Sequence, residues 1–543
     1  MPDDSLDALL IGIDAGAPDI FDRLFEEGRT PALEEICRTG AYAPLRSQVP
    51  PWTPSAWPSI YTGVNPGEHG VTGFVGYNGY DWHVVNYDQV DAHGLWDILD
   101  YHGHSSVIVN VPVTHPPPTF DGAIVPGFIG PEDPECHPDG LLEELRAEIG
   151  EYRVYPNYTR GTDELTDPEK MDEYERLTRM RGRAFRYLCA EYEPTFGFIQ
   201  FQKTDTVFHE FNGDESKVNR VYEAVDEEIA SIIETYQPRQ IFLVSDHGMG
   251  QYGPYEFSVN EYLRQQGYVE ATNSGKGMPS WTPIRNELRE GKDVETWDPS
   301  RTERLAAGAA KFGFTARRAR IVLEKLGILG PVKRVVPSNV ARTANLQVDF
   351  EQSTAYMRAR TEFGIRINLE GREPNGVVPR REYDRVRAEL IKDLRAVETP
   401  DGEPVFEEVV PREEHFSGKH AENAVDLVTI PTDMNVFLTE QLDGSLFSKP
   451  AQSWDHKIDG IFAAAGEGLE TDVPIEDADL LDVAPTILAS LGIPRSERMD
   501  GSVLPIVDDP GYTAYPSYET GARGAEDADE QVKERLAGLG YLS

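Results

Sequence analysis

The chain has 543 residues, 39% of them hydrophobic, enough for one large α/β domain with insertions or for more than one structural unit. Asp and Glu number 94 against 51 Lys and Arg, a formal net charge of -43 that argues against nucleic acid and anionic membrane as partners. No apolar run approaches the roughly 20 residues that cross a bilayer, which excludes a membrane-spanning helix.

In chain order, a polar acidic N-terminus leads into an apolar run at residues 8–14, ending in Asp14. The run is too short for the core of a signal peptide, so a soluble cytoplasmic protein starting at Met1 is expected. Its pattern predicts a buried parallel strand whose carboxyl end presents Asp14. Two helical stretches follow; the second begins after Thr30-Pro31, with Thr30 as its expected cap, and stops at Gly40. Residues 95–102 predict a helix and 105–111 a buried strand. A long helix over about 168–191, a strand at 195–201, a helix at 215–236 and a strand at 239–245 complete the alternation. Strands alternating with helices predict an α/β fold with a mainly parallel central sheet and helices on both faces. Function in such sheets collects at the carboxyl ends of strands. Asp14, Asp205 and Asp246 all follow such runs.

The character changes from about 255 to 420. Ten Arg or Lys stand against two Asp or Glu between Arg301 and Arg342, with helical segments at 303–312 and 315–326. Strand-like runs resume near 354–368, followed by a polar helix near 380–396. The expected organisation is a first core part at 1–254, an inserted cap at 255–420, a second core part at 421–506 and a tail at 507–543. The core is expected to resume with strands at 424–430 and 459–465 and a helix at 479–491 opened by Asp479. A short helix is expected near 529–538. The basic stretch is read first as pairing with acidic surface elsewhere. Attraction of an anionic substrate and contact with lipid headgroups remain open.

Only 13 of the cationic residues are lysines. Acid excess with Arg favoured over Lys resembles proteins of salt-loving organisms, where molar salt screens self-repulsion. The three cysteines, Cys37, Cys136 and Cys189, are widely spaced and odd in number, so buried free thiols are expected and no disulfide framework.

Five segments carry chemistry: Asp14; the loop from Pro50 through Thr53 to Thr62-Gly63 and His69-Gly70; Asp205 to His209; Ser245-Asp246-His247-Gly248; and Trp454-Asp455-His456. A D-x-x-x-H on a helix puts both side chains on one face, able to share an ion. Asp246 and His247 can point together only if the strand ends there in a turn. Asp14, Asp205, His209, Asp246, His247 and His456 are six candidate ligands, three for each of two tetrahedral ions. Mixed carboxylate and imidazole donors favour zinc or manganese over magnesium or calcium. Thr53 leads into a possible helix N-terminus, whose free N–H groups would favour a bound phosphate; coordination to an ion would activate its hydroxyl. The plain alternatives stay open: Thr53 as an ordinary helix-start residue, Asp205 and His209 as a solvated helix face, Asp246-His247 as a turn. His69 is read as structural, and His415 and His420 as surface residues.

Taken together, these segments resemble the type I phosphodiesterase/nucleotide pyrophosphatase family of the alkaline phosphatase superfamily. The spacing from Thr53 to Thr62-Gly63 is similar, and Asp482 with Pro485-Thr486 and Asp500-Gly501 resemble its C-terminal signature. The resemblance implies an alkaline-phosphatase-like three-layer sandwich with an inserted cap. It implies a two-metal phosphoester hydrolase of the phosphodiesterase/pyrophosphatase type, acting through a phospho-threonine at Thr53 on a small phosphorylated substrate. It places Asp14, Thr53, Asp246 and His247 on one ion, and Asp205, His209 and His456 on the other, with Zn2+ expected and Mn2+ as the alternative. One departure stands out: the family's nucleotide pyrophosphatases carry an Asn 21 residues after the nucleophile, where this chain has Phe74. Another group must then meet the phosphoryl charge, and Lys203 is the expected one. The sulfatase and phosphoglycerate mutase branches fit less well, since Thr53 lacks the C-x-P-x-R context of the former and replaces the Ser of the latter. A phosphotransferase, or a metal-binding relative without catalysis, are the alternatives.

Overall fold

The computed structural model describes residues 6–158, 165–272, 346–442 and 444–516. The segments expected to be helical at 303–312, 315–326 and 529–538, and the basic stretch 301–342, lie outside the described residues.

A seven-stranded sheet forms the centre. Its order is Ala41–Arg46, Asp459–Gly466, Gln240–Val244, Ala8–Ile13, Phe196–Phe201, Ser106–Val109 and Gly122–Val125. Six strands run one way and Asp459–Gly466 runs against them. The fold is therefore α/β, with a mixed, mostly parallel sheet. The central strands are apolar on both sides because helices cover both faces.

Two glycines show how closely the helices approach. A Cβ on Gly12 would overlap the Trp57 ring of helix Thr53–Thr62 on one face. A Cβ on Gly197, in the adjacent strand, would press on Phe185 of helix Asp167–Tyr192 on the other. Helices Pro31–Thr39 and Glu215–Tyr236 pack together beside the long helix. Thr30 does not cap helix Pro31–Thr39 through its side chain. Asp226 does so from the neighbouring helix, accepting from the backbone N–H groups of Ala32 and Leu33 at 3.3 and 2.8 Å. A carboxylate is a stronger acceptor for those N–H groups than a hydroxyl.

The run at 424–430 does form a strand, Leu427–Pro431, but not in the central sheet. It belongs to a four-stranded antiparallel sheet with Ala355–Tyr356, Gly364–Ile367 and Phe406–Pro411, backed by helix Tyr383–Arg395. Asp426 ties this unit together. Its buried carboxylate accepts from Arg372 at 2.7 Å, Arg412 at 3.0 Å, Tyr383 at 2.7 Å and the Ile367 N–H at 2.7 Å. The central sheet resumes only at Asp459–Gly466. The next helical turns, Leu480–Asp482 and Val483–Ser490, start as expected at Asp479, which accepts from the Leu481 N–H.

All three cysteines are buried and free. Among the described residues, no helix is long and apolar enough to cross a membrane.

Candidate functional site

The five segments meet at the carboxyl ends of the central strands. Asp14 follows Ala8–Ile13 and is fully buried. Its Oδ2 accepts from Gln200 Nε2 at 2.7 Å, and Gln200 is itself held by Asn110 Nδ2 at 2.9 Å. Its Oδ1 has no hydrogen-bond partner. Asp246, also fully buried, shows the same division: Oδ1 accepts from the Ala15 N–H at 3.2 Å, while Oδ2 makes no hydrogen bond.

Both unpartnered oxygens face one nitrogen. His247 Nε2 lies 3.2 Å from Asp246 Oδ2 and 3.6 Å from Asp14 Oδ1. His247 Nδ1 is 3.0 Å from the Gly248 carbonyl, which can only accept, so the ring proton belongs on Nδ1 and Nε2 keeps a lone pair. Asp246 and His247 can converge because the strand Gln240–Val244 has ended and Gly248 starts a new direction. Thr53 Oγ1 is 3.4 Å from the same Nε2. Thr53 is the first residue of helix Thr53–Thr62 and is buried.

The helix start offers fewer free donors than expected. Pro54 has no N–H, and the N–H groups of Ser55 and Ala56 are both bonded to the Trp52 carbonyl.

A second group adjoins the first. Asp205 and His209 stand one turn apart on helix Lys203–Phe211, with Asp205 Oδ1 3.1 Å from His209 Nε2. His456, on the short strand Trp454–Lys457, brings its Nε2 to 3.2 Å from Asp205 Oδ1 and 3.0 Å from His209 Nε2. His456 Nδ1 donates to the Pro51 carbonyl at 2.8 Å, so its Nε2 also turns inward. Three sets of donor atoms lie within 4.8 Å of one another: Asp14, Asp246 and His247; Asp205, His247 and His456; His209, Asp455 and His456. Asp455 was not among the ligands read from the sequence. Its position beside His456 was the available signal.

The electrostatics fit cation binding. Burial, then Asp246 and Asp205, hold Asp14 well above the usual carboxylate range. Burial pushes Asp246 up to about 7. Burial opposes ionisation of Asp205 too, but the imidazoles of His209 and His456 outweigh it and carry that carboxyl below its usual range. Burial and His456 hold His247 well below the usual imidazole range. Buried carboxylate oxygens without donors, opposed to imidazole lone pairs, are the donor set a divalent cation satisfies. The residues present therefore fit such ions.

Lys203, expected to meet the phosphoryl charge, lies within the electrostatic reach of Asp205 and Asp14. It is buried, donates to Gln202 Oε1 at 2.6 Å and lies over the Tyr174 ring at 5.8 Å. It lines a small cavity with Asn110, Thr178 and Arg181, and burial together with Arg181 lowers its ammonium to about 7. No hydrogen bond or ion pair joins it to Thr53. Phe74 is buried too, edge-on to Trp52 and Phe128.

His69 is fully buried between Ser59 Oγ at 3.1 Å and the Val71 N–H at 3.2 Å, and burial holds it neutral. His415 and His420 are only half-exposed, paired with Glu408 and Asp91, each at 3.0 Å. The C-terminal signature is architectural. Asp500 and Gly501 donate their N–H groups to the carbonyl of Gly63, which sits at φ 67°, a left-handed turn suited to glycine.

The model of the type I phosphodiesterase / nucleotide pyrophosphatase family matches residues 8–310. The chain belongs to this family. It is a phosphoesterase of the alkaline phosphatase superfamily, with buried Asp and His groups that could hold metal ions. In fold it is similar to alkaline phosphatase PafA, at 13% identity over 93% of this chain and 99% of that one, with a TM-score of 0.54. It is also similar to phosphonoacetate hydrolase from Sinorhizobium meliloti 1021, at 14% identity over 88% of this chain and 94% of that one, with a TM-score of 0.50. No curated protein was found to match the chain.

Proposed function

We propose that the protein hydrolyses phosphoesters with two divalent ions, using Thr53 as nucleophile and passing through a phospho-threonine. The observation that carries this reading is the approach of Thr53 Oγ1 to His247 Nε2, at 3.4 Å, where the unpartnered oxygens of Asp14 and Asp246 also converge.

Asp14, Asp246 and His247 would hold one ion beside Thr53; Asp205, His209 and His456 would hold the other. Carboxylate and imidazole donors together suit Zn2+, with Mn2+ the alternative. When bound, such ions supply Lewis acidity that lowers the pKa of a hydroxyl or a water and neutralises phosphoryl charge.

The chain's own residues do the rest. Thr53 Oγ1 gives up its proton and forms a bond to phosphorus. The bond from phosphorus to the leaving oxygen breaks, and that oxygen takes up a proton. Water then adds to phosphorus, the Oγ1–P bond breaks, and the proton released by the water returns to Thr53. Helix Thr53–Thr62 holds Oγ1 in place, because Trp57 of that helix is wedged against Gly12.

The test is Thr53→Ala on a chromogenic phosphodiester. The variant keeps its bound metal and loses turnover by at least about 1,000-fold. A rapid quench of the native enzyme yields phosphate on the peptide containing Thr53. Full activity in the variant would refute the nucleophile.

A further inference from the structure

We infer that Arg360 grips the anionic oxygens of the substrate's phosphoryl group, supplying the charge that Phe74 cannot. The inference rests on the reading of the site given above.

Arg360 opens a single helical turn, Arg360–Glu362, between the strands Ala355–Tyr356 and Gly364–Ile367. The turn reaches the nucleophile's neighbours. Phe363, at its end, packs edge-on against Trp52 with ring centres 5.7 Å apart. Trp52 immediately precedes Thr53, and its ring centre is 4.5 Å from that of His456. On the same side, Arg360 Nη2 lies 3.9 Å from Asp455 Oδ2. Asp455 in turn shares a 4.8 Å neighbourhood of donor atoms with His209 and His456. The guanidinium therefore stands at the rim of the second ligand group.

A single long ion pair, to Asp455, holds it there. A separation of 3.9 Å is not a hydrogen bond. Asp455 has other partners, its Oδ1 accepting from the His456 N–H at 2.9 Å and its Oδ2 from Gln452 Nε2 at 3.0 Å. The neighbouring arginines differ. Arg358 is buried against Glu362 at 3.0 Å and stacks on Tyr77, Arg366 meets Glu373 at 2.8 Å, and Arg372 meets Asp426 at 2.7 Å. Arg360 makes no side-chain hydrogen bond among the described residues; its ion pair with Asp455 is 3.9 Å long, its charge also acts on the buried Glu440 carboxyl, and its side chain is 37% exposed. A planar guanidinium held by one long ion pair beside a candidate two-ion site matches the paired oxygens of a phosphoryl group.

Two further observations agree. Phe74, in the position of the family's amide, lies against Trp52 and presents only carbon to this wall. Trp52 Nε1 is buried with no hydrogen-bond partner, so the wall that Phe363 and His456 share carries an unspent donor. Lys203, the other cation considered, already donates to Gln202.

The experiment compares Arg360→Ala and Arg360→Lys with the native holoenzyme. Substrates are 4-nitrophenyl phosphate, a dianion, and methyl 4-nitrophenyl phosphate, a monoanion. Inorganic phosphate binding is measured by calorimetry, and bound metal by elemental analysis. Arg360→Ala is expected to lose about 10- to 100-fold in kcat/KM and in phosphate affinity, more on the dianion, with unchanged metal content. Arg360→Lys restores part of the loss, since it keeps the charge without the fork. Phosphate affinity within about 3-fold of native in both variants overturns the assignment, as does loss of bound metal in Arg360→Ala. Repeating the phosphate titration in the Thr53→Ala background separates the two readings. An Arg360 effect there stands whether or not Thr53 is the nucleophile.

Discussion

The rings of His247 and His456 lie face to face, 3.7 Å between centres and 17° between planes, and each keeps its Nε2 for the interior. The stack makes the two ligand groups neighbours that share a wall. His456→Ala is therefore expected to lower metal content at both positions, while His209→Ala removes the second ion with less effect on the first. Elemental analysis after desalting gives the stoichiometry. Equal losses in the two variants would contradict the shared wall.

Gln200 holds Asp14 in place. It donates to Oδ2 and thereby aims Oδ1 at the cluster, and Asn110 fixes its orientation. Gln200→Leu is expected to weaken metal affinity by about 10- to 100-fold and to leave the fold intact. Competition with a chelator measures the first, and thermal unfolding of the metal-free protein checks the second.

Metal affinity should rise with pH. Folding without metal raises the Asp14 and Asp246 carboxyls through burial, Asp246 to about 7, so Asp246 carries a proton in the stripped protein below that value. His456 is also held above its usual range, since Asp205 outweighs the effect of burial. Binding must expel these protons, so affinity is lost as pH falls through about 7. Calorimetry at pH 6 in two buffers of different ionisation enthalpy should report proton release, and at pH 8 much less of it. Affinity independent of pH over this range would contradict the assigned ligands.

Gly12→Ala is expected to destabilise the protein by about 1–3 kcal/mol, because the new methyl overlaps the Trp57 ring inside a closed core. The same change should lower kcat, since Trp57 and Thr53 share one helix. Denaturant unfolding gives the first quantity. Trp57→Phe in the same chain, by making room, should recover part of the loss.

Much of the site was legible because its residues sit at the ends of strongly apolar runs. The run at 8–14 ends at Asp14 and the run at 239–245 at Asp246, and the parallel sheet carries both to one edge. The spacing of Asp205 and His209 was enough to set them on one helical face. Other features were invisible for identifiable reasons. Thr30 looks like a cap, but the competing carboxylate of Asp226 comes from a helix far along the chain. The run at 424–430 has the apolarity of a central strand, yet it is buried by the small sheet and its ion pairs.

Local chemistry, written residue by residue, marked five of the seven central strands, a possible helix start at Thr53 and the supply of acids and imidazoles, but not the strands Ala41–Arg46 and Gly122–Val125. Hydrophobic periodicity and hydrogen-bonding capacity act over a few residues, so they can be read without a fold. Which oxygen of Asp14 is left empty, which nitrogen of His456 faces inward and which arginine stands at the rim were decided only when distant segments packed together. Those outcomes depend on competition among many possible partners for each hydrogen bond, and packing alone chooses the winner.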